Sequence, residues 1–80
     1  MNTINTLRTT YLQSNRTVDT IKLENDERTK YFYLYNHEGL VYRLFDSKTA
    51  ISEFFNNNSS EFLEFEDDET LDNYLLNLQF

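Results

Sequence analysis

Cysteine, proline and tryptophan are absent from this chain, and glycine and histidine occur once each, as Gly39 and His37. Without cysteine there is neither a disulfide framework nor a thiolate metal site. The 80 residues form one domain, near the lower size at which a hydrophobic core suffices, and that core must act unaided. With no proline and one glycine, turns depend on Asn, Asp, Ser and Gly39. A glycine-rich phosphate loop is excluded, because one glycine cannot build it. No stretch approaches the roughly 18 apolar residues of a membrane span. The opening Met1-Asn2-Thr3-Ile4 has no basic segment followed by an apolar run, so no signal peptide is expected. A soluble, cytoplasmic protein is the expectation, and the missing cysteine agrees with it.

What is present is aromatic and acidic. Seven Phe and six Tyr can each remove a large apolar area from water, so aromatic rings are the expected substance of the core. The charge balance is 7 Lys+Arg against 14 Asp+Glu, a net charge of −7. That sign argues against direct binding to nucleic acid or to anionic membranes, both of which draw on basic surface. It permits the converse, binding to a basic surface that itself holds DNA or RNA. The charge is also unevenly placed. All seven basic residues lie between Arg8 and Lys48, while residues 49–80 carry eight acids and no base. Such asymmetry points to an acidic face.

Along the chain, residues 3–14 read as a helix, with Ile4, Leu7 and Tyr11 at helical spacing and Asn15 as its end. Three strands are expected next, at residues 17–23, 30–36 and 40–45. In the second, Tyr31, Tyr33 and Tyr35 share one face, and Phe32 and Leu34 the other. His37-Glu38-Gly39 joins the last two strands as a hairpin, with Gly39 free to take positive φ. Asp46 or Ser47 caps a helix over residues 48–55 that buries Ile51, Phe54 and Phe55. Asn56-Asn57-Asn58-Ser59-Ser60 reads as a loop, and residues 61–65 are either a short extended piece or an irregular connection. A final helix, capped by Asp67 or Asp68, carries Leu71, Tyr74, Leu75 and Leu78 on one stripe. The expectation is an α+β fold in the order α-β-β-β-α-α: a three-stranded antiparallel sheet with three helices on one face and the other face partly exposed.

Chemistry finds little to work with. His37, at a hairpin tip, lacks the desolvated setting that a catalytic base needs. Glu66-Asp67-Asp68-Glu69 lacks the alternating oxygen ligands and glycine turn of a calcium loop. A carboxylate pair for glycoside hydrolysis would need a cleft that so short a chain can hardly enclose. Neither enzymatic activity nor a bound metal or cofactor is expected. The acidic cluster keeps two readings. Carboxylates in a first helical turn are stabilised by its dipole and free N–H groups, which accounts for one or two acids. Seven acids in residues 61–72 repel one another, which a contact surface for basic residues would explain.

The opening Met1-Asn2-Thr3-Ile4-Asn5-Thr6-Leu7, the Thr17-Val18 strand start and the hairpin Asn36-His37-Glu38-Gly39 followed by Tyr42 resemble a known group. It comprises the small Listeria-prophage inhibitors of Cas9, the type II-A anti-CRISPR proteins. The segment after Ser47 with Ile51 and Phe54, and the acidic Glu64-Phe65-Glu66-Asp67-Asp68-Glu69, continue the resemblance. It implies a phage-encoded DNA mimic acting in a bacterial host, whose acidic loops occupy the PAM-reading site of guide-loaded Cas9. By position, the implied partner contacts are Asn36, Glu38 and Gly39 in the hairpin, and Glu64, Glu66, Asp67, Asp68 and Glu69 in the acidic segment. Two departures stand against it: the family's Asn-Asp-Gly tip reads His37-Glu38-Gly39 here, and the family's polar C-terminal tail is missing. The alternative is an acidic interaction module of another class, such as an immunity protein, antitoxin or phage regulator that masks a different host enzyme.

Overall fold

The computed structural model describes residues 5–37, 39 and 41–78. Its elements run β1 (Asn5–Gln13), β2 (Arg16–Glu24), β3 (Thr29–His37), β4 (Val41–Phe45), α1 (Lys48–Phe55), β5 (Leu63–Phe65) and α2 (Asp68–Leu76). The strands form one five-stranded antiparallel sheet in the order β1-β2-β3-β4-β5. The expected three-stranded sheet with three helices, α-β-β-β-α-α, is therefore corrected to β-β-β-β-α-β-α.

The first correction concerns the opening segment. Asn5–Gln13 is a strand, paired residue for residue with β2 from Asn5–Glu24 to Gln13–Arg16. Leu7 and Tyr11 do fit helical spacing, but Thr6, Thr9 and Thr10 lose side-chain freedom in a helix and suit a pleated surface. The turn decides the matter. Ser14 and Asn15 have φ of 52° and 62°. This is the left-handed pair of a type I′ turn, whose twist matches the strands it joins. Asn15, expected to end a helix, closes a hairpin instead.

The next three strands lie where the alternation places them. His37 pairs with Val41, and Gly39 between them takes φ 74°, a conformation glycine adopts without steric cost. Residues 63–65 of the ambiguous connection become β5, pairing along β4 from Tyr42–Phe65 to Leu44–Leu63.

The second correction concerns the layers. Ile21, Leu23, Phe32, Leu34 and Leu44 form a core with Leu71 and Leu75 of α2. Val18 and Phe45 lie on the opposite face, in a core with Ile51 and Phe55 of α1 flanked by Tyr11, Tyr33 and Tyr35. Each face thus has its own helix, and the face expected to be partly exposed is covered. The cause is that residues 31–35 and 41–45 are apolar or aromatic on both faces, so both need cover. Of the three β3 tyrosines only Tyr31 is exposed.

Aromatic rings do fill the α1 side. Phe45 lies 5.4 Å from Phe54 and 5.3 Å from Phe62, and Tyr35 meets Phe55 edge-on at 5.0 Å, within the favourable range for ring pairs. Ser47 is the N-cap of α1, its hydroxyl accepting the Ala50 N–H at 3.0 Å. The asparagine run ends the helix: Asn57 takes φ 63°, and the Asn58 N–H donates to the Glu53 carbonyl at 2.9 Å. Among the described residues, no helix is long and apolar enough to cross a membrane.

Candidate functional site

Glu66, Asp67, Asp68 and Glu69 occupy the turn from β5 into α2, and all four are exposed. Their support is packed against the rest of the fold. The Phe65 ring packs 5.4 Å from Tyr74 of α2, and Leu71 and Leu75 are buried against the sheet. Asp67 is the N-cap of α2, accepting the Thr70 N–H at 2.8 Å. That backbone bond, with help from the Thr70 side chain, holds its carboxyl below the usual carboxylate range. The capping reading therefore applies to Asp67, while Asp68 and Glu69 complement the helix dipole in the first turn.

Asp68 has further partners. Its carboxylate accepts the Tyr42 hydroxyl at 3.1 Å and lies 4.0 Å from Arg8 Nη1, while Asp72 lies 3.8 Å from Arg8 Nη2. The hydrogen bond to Asp68 pushes the Tyr42 phenol above its ordinary value, because ionisation would remove the donor and set two negative charges together. Glu64 behaves differently. It pairs across β4–β5 with Arg43, whose Nε sits 3.0 Å from its carboxylate. The Arg43 guanidinium also lies over the Phe54 and Phe62 rings, at 5.2 and 5.6 Å, which places Glu64 on the α1 side of the sheet.

A depression of about 330 Å³ brings Asn36, Gly39, Tyr42 and Asp68 together with Arg8 and Asp19. The hairpin and the acidic turn are thus neighbours, joined by the Tyr42–Asp68 bond. Glu66, Asp67 and Glu69 adjoin Asp68 in sequence and are exposed, whereas Glu64 belongs to the other face. Glu38 lies outside the described residues.

The run of acids without a base in sequence is not without bases in space. Arg8 from β1 and Arg43 from β4 reach Asp68, Asp72 and Glu64. Sequence reasoning missed Arg8, since a helix over residues 3–14 gives it no defined face. A strand places it opposite Ile21, on the side that α2 covers. Among the described residues, Glu61, Glu66 and Glu69 have no basic partner.

Most of the basic residues meet carboxylates or aromatic rings of the fold itself, although five of the seven are exposed. Arg8, Lys22 and Arg43 meet carboxylates, while Arg16 lies over Phe55, Lys30 over Phe32 and Lys48 over Tyr11. Within the β5–α2 turn, Arg8 lies near Asp68 and Asp67 is engaged as a cap, while Glu66 and Glu69 are exposed with no basic partner among the described residues. Among the described residues, no group of three or more His, Asp or Glu side chains is placed to hold a metal ion. No protein family, curated protein or solved structure matches this chain.

Proposed function

We propose that this protein is an acidic inhibitor that covers a basic nucleic-acid-binding surface, acting by binding rather than by catalysis. The observation that carries the reading is the exposed cluster Glu66, Asp67, Asp68 and Glu69 on a capped, packed turn, with Asn36 and Gly39 beside Asp68. Carboxylates presented in this way can form charge-assisted, bidentate bonds with arginines that otherwise hold phosphates or guanine edges. An arginine-based PAM reader is such a surface. The anti-CRISPR resemblance makes guide-loaded Cas9 the first target to test. Against it stands the opening segment, which is a strand in a five-stranded sheet.

Competition is the direct test. The protein should bind guide-loaded Cas9, and short duplexes bearing a PAM should displace it, while duplexes without one should displace it less. Binding should also weaken as salt is raised, since it rests on charge pairs. Binding that PAM-bearing DNA leaves unchanged would reject mimicry of PAM DNA. Failure to bind Cas9 at all, with capture of a different basic protein that its own nucleic acid displaces, would keep the inhibitor class and replace the target.

A further inference from the structure

The outer edge of β1 is the longest open feature of the fold. β1 is the terminal strand of the sheet and runs nine residues, Asn5–Gln13, whereas the opposite edge strand, β5, has three. Of the usual protections of an open edge it has only a single charge. It contains no proline or glycine, its pairing with β2 is unbroken by a bulge, and it carries one charge, Arg8. Residues 6–10 and Leu12 are exposed, with Leu7 at 60% and Leu12 at 73%. Such an edge is a template for another strand.

We propose that the β1 edge pairs with the same edge of a second copy, joining two sheets into one across a two-fold axis at Thr9. The register follows from the hairpin. A two-residue type I′ turn makes Gln13 and Arg16 the closing hydrogen-bonded pair. Odd-numbered residues of β1 therefore bond to β2, and Thr6, Arg8, Thr10 and Leu12 point their N–H and C=O groups outward. Antiparallel pairing that uses the whole strand sets Thr9 against Thr9, Leu7 against Tyr11 and Arg8 against Thr10. A shift of one pair toward the N-terminus would set Arg8 against Arg8, which repulsion disfavours.

Charge favours a second copy as the occupant. β1 has no acid, so two β1 strands meet without the repulsion that acidic surfaces elsewhere on a −7 chain would cause. Thr10 donates to Asp19 on the neighbouring strand at 2.7 Å. In the proposed register each Arg8 lies across from the second copy's Thr10, with that copy's Asp19 one strand beyond. The exposed Leu7 would meanwhile pack beside the half-buried Tyr11 of the other copy. Opposite charges and apolar groups are both matched.

Sedimentation equilibrium on the full chain tests this. The parent should show concentration-dependent growth toward twice its 9.7 kDa mass. Added salt should strengthen the association, because the two chains carry like net charge. Partner binding as an acidic mimic has the opposite salt dependence, so failure of either reading is recognisable by itself. Thr9→Glu and Thr9→Lys each put like charges face to face and should each weaken the dimer about fivefold or more. The lysine variant should do so although it lowers the net charge. An equimolar mixture of the two should recover dimer, which also shows that both variants fold. A parent that stays monomeric into the millimolar range overturns the proposal, as does a mixture no better associated than either variant alone.

Discussion

Asp67 and Tyr42 show how single side chains tie the acidic turn to the fold. Asp67 has its carboxyl held below the ordinary 3.8 by the Thr70 N–H it caps. A depressed carboxylate contributes stability above its unfolded value and loses that contribution as pH falls through the folded one. Asp67→Ala should therefore lower the urea midpoint at pH 7, and the gap to the parent should close on acidification from about pH 4 downward. Asp67→Asn, still a good cap, should hold most of the pH 7 midpoint. A gap independent of pH would show that the charge of Asp67 plays no part. Tyr42 acts in the converse direction. Its raised phenol favours the folded state below the ordinary 10.0, an advantage lost as pH rises through the higher folded value. Residues of the proposed binding surface are here also residues of stability, which is why a test of binding must control for folding.

At the level of elements, the sheet is the organising layer and each helix closes one of its faces. Ile51 of α1 and Leu71 of α2 are both fully buried, in different cores. Ile51→Ala and Leu71→Ala should each cost about 2–5 kcal/mol, read from denaturant midpoints. That is a large share of the roughly 5–10 kcal/mol a domain of this size holds. The exposed Leu12 and Leu76 should tolerate alanine within about 0.5 kcal/mol. A silent Ile51→Ala would contradict a helix on that face. The middle of this architecture was legible in the sequence, because β3 and β4 alternate clearly and Gly39, Ser47 and Asp67 punctuate the elements beside them. The edges were not. β1 is an edge strand rich in threonine, and Ile4, Leu7 and Tyr11 at helical spacing imitate a helix there. β5 is three residues long, too short for any periodicity. The placement of the helices on opposite faces was implicit in apolar residues on both sides of β3 and β4. The sequence expectation gives the sheet one buried face and one partly exposed face instead.

Across the whole molecule, the distribution of charge is the feature that bears on function. The acids of residues 61–72 were legible as a cluster, and the hairpin lies beside them, joined by the Tyr42–Asp68 bond. What the sequence could not convey was which of these acids are neutralised, because Arg8 and Arg43 reach them only through sheet pairing. Glu64 is satisfied within the fold and Asp67 is engaged as a cap, whereas Glu66 and Glu69 stand outward. The central claim is that the outward charge of the β5–α2 turn is the binding surface. Replacing Glu66 and Glu69 by Gln, and Asp67 and Asp68 by Asn, removes that charge while keeping side-chain size and the capping geometry. Desolvated charge pairs at such a site are worth about 2–5 kcal/mol each, so affinity for guide-loaded Cas9, or for whichever basic partner is captured, should fall by at least about a hundredfold. The measurement is the dissociation constant of this quadruple variant beside that of the parent, at matched fold stability. An unchanged constant would contradict the account.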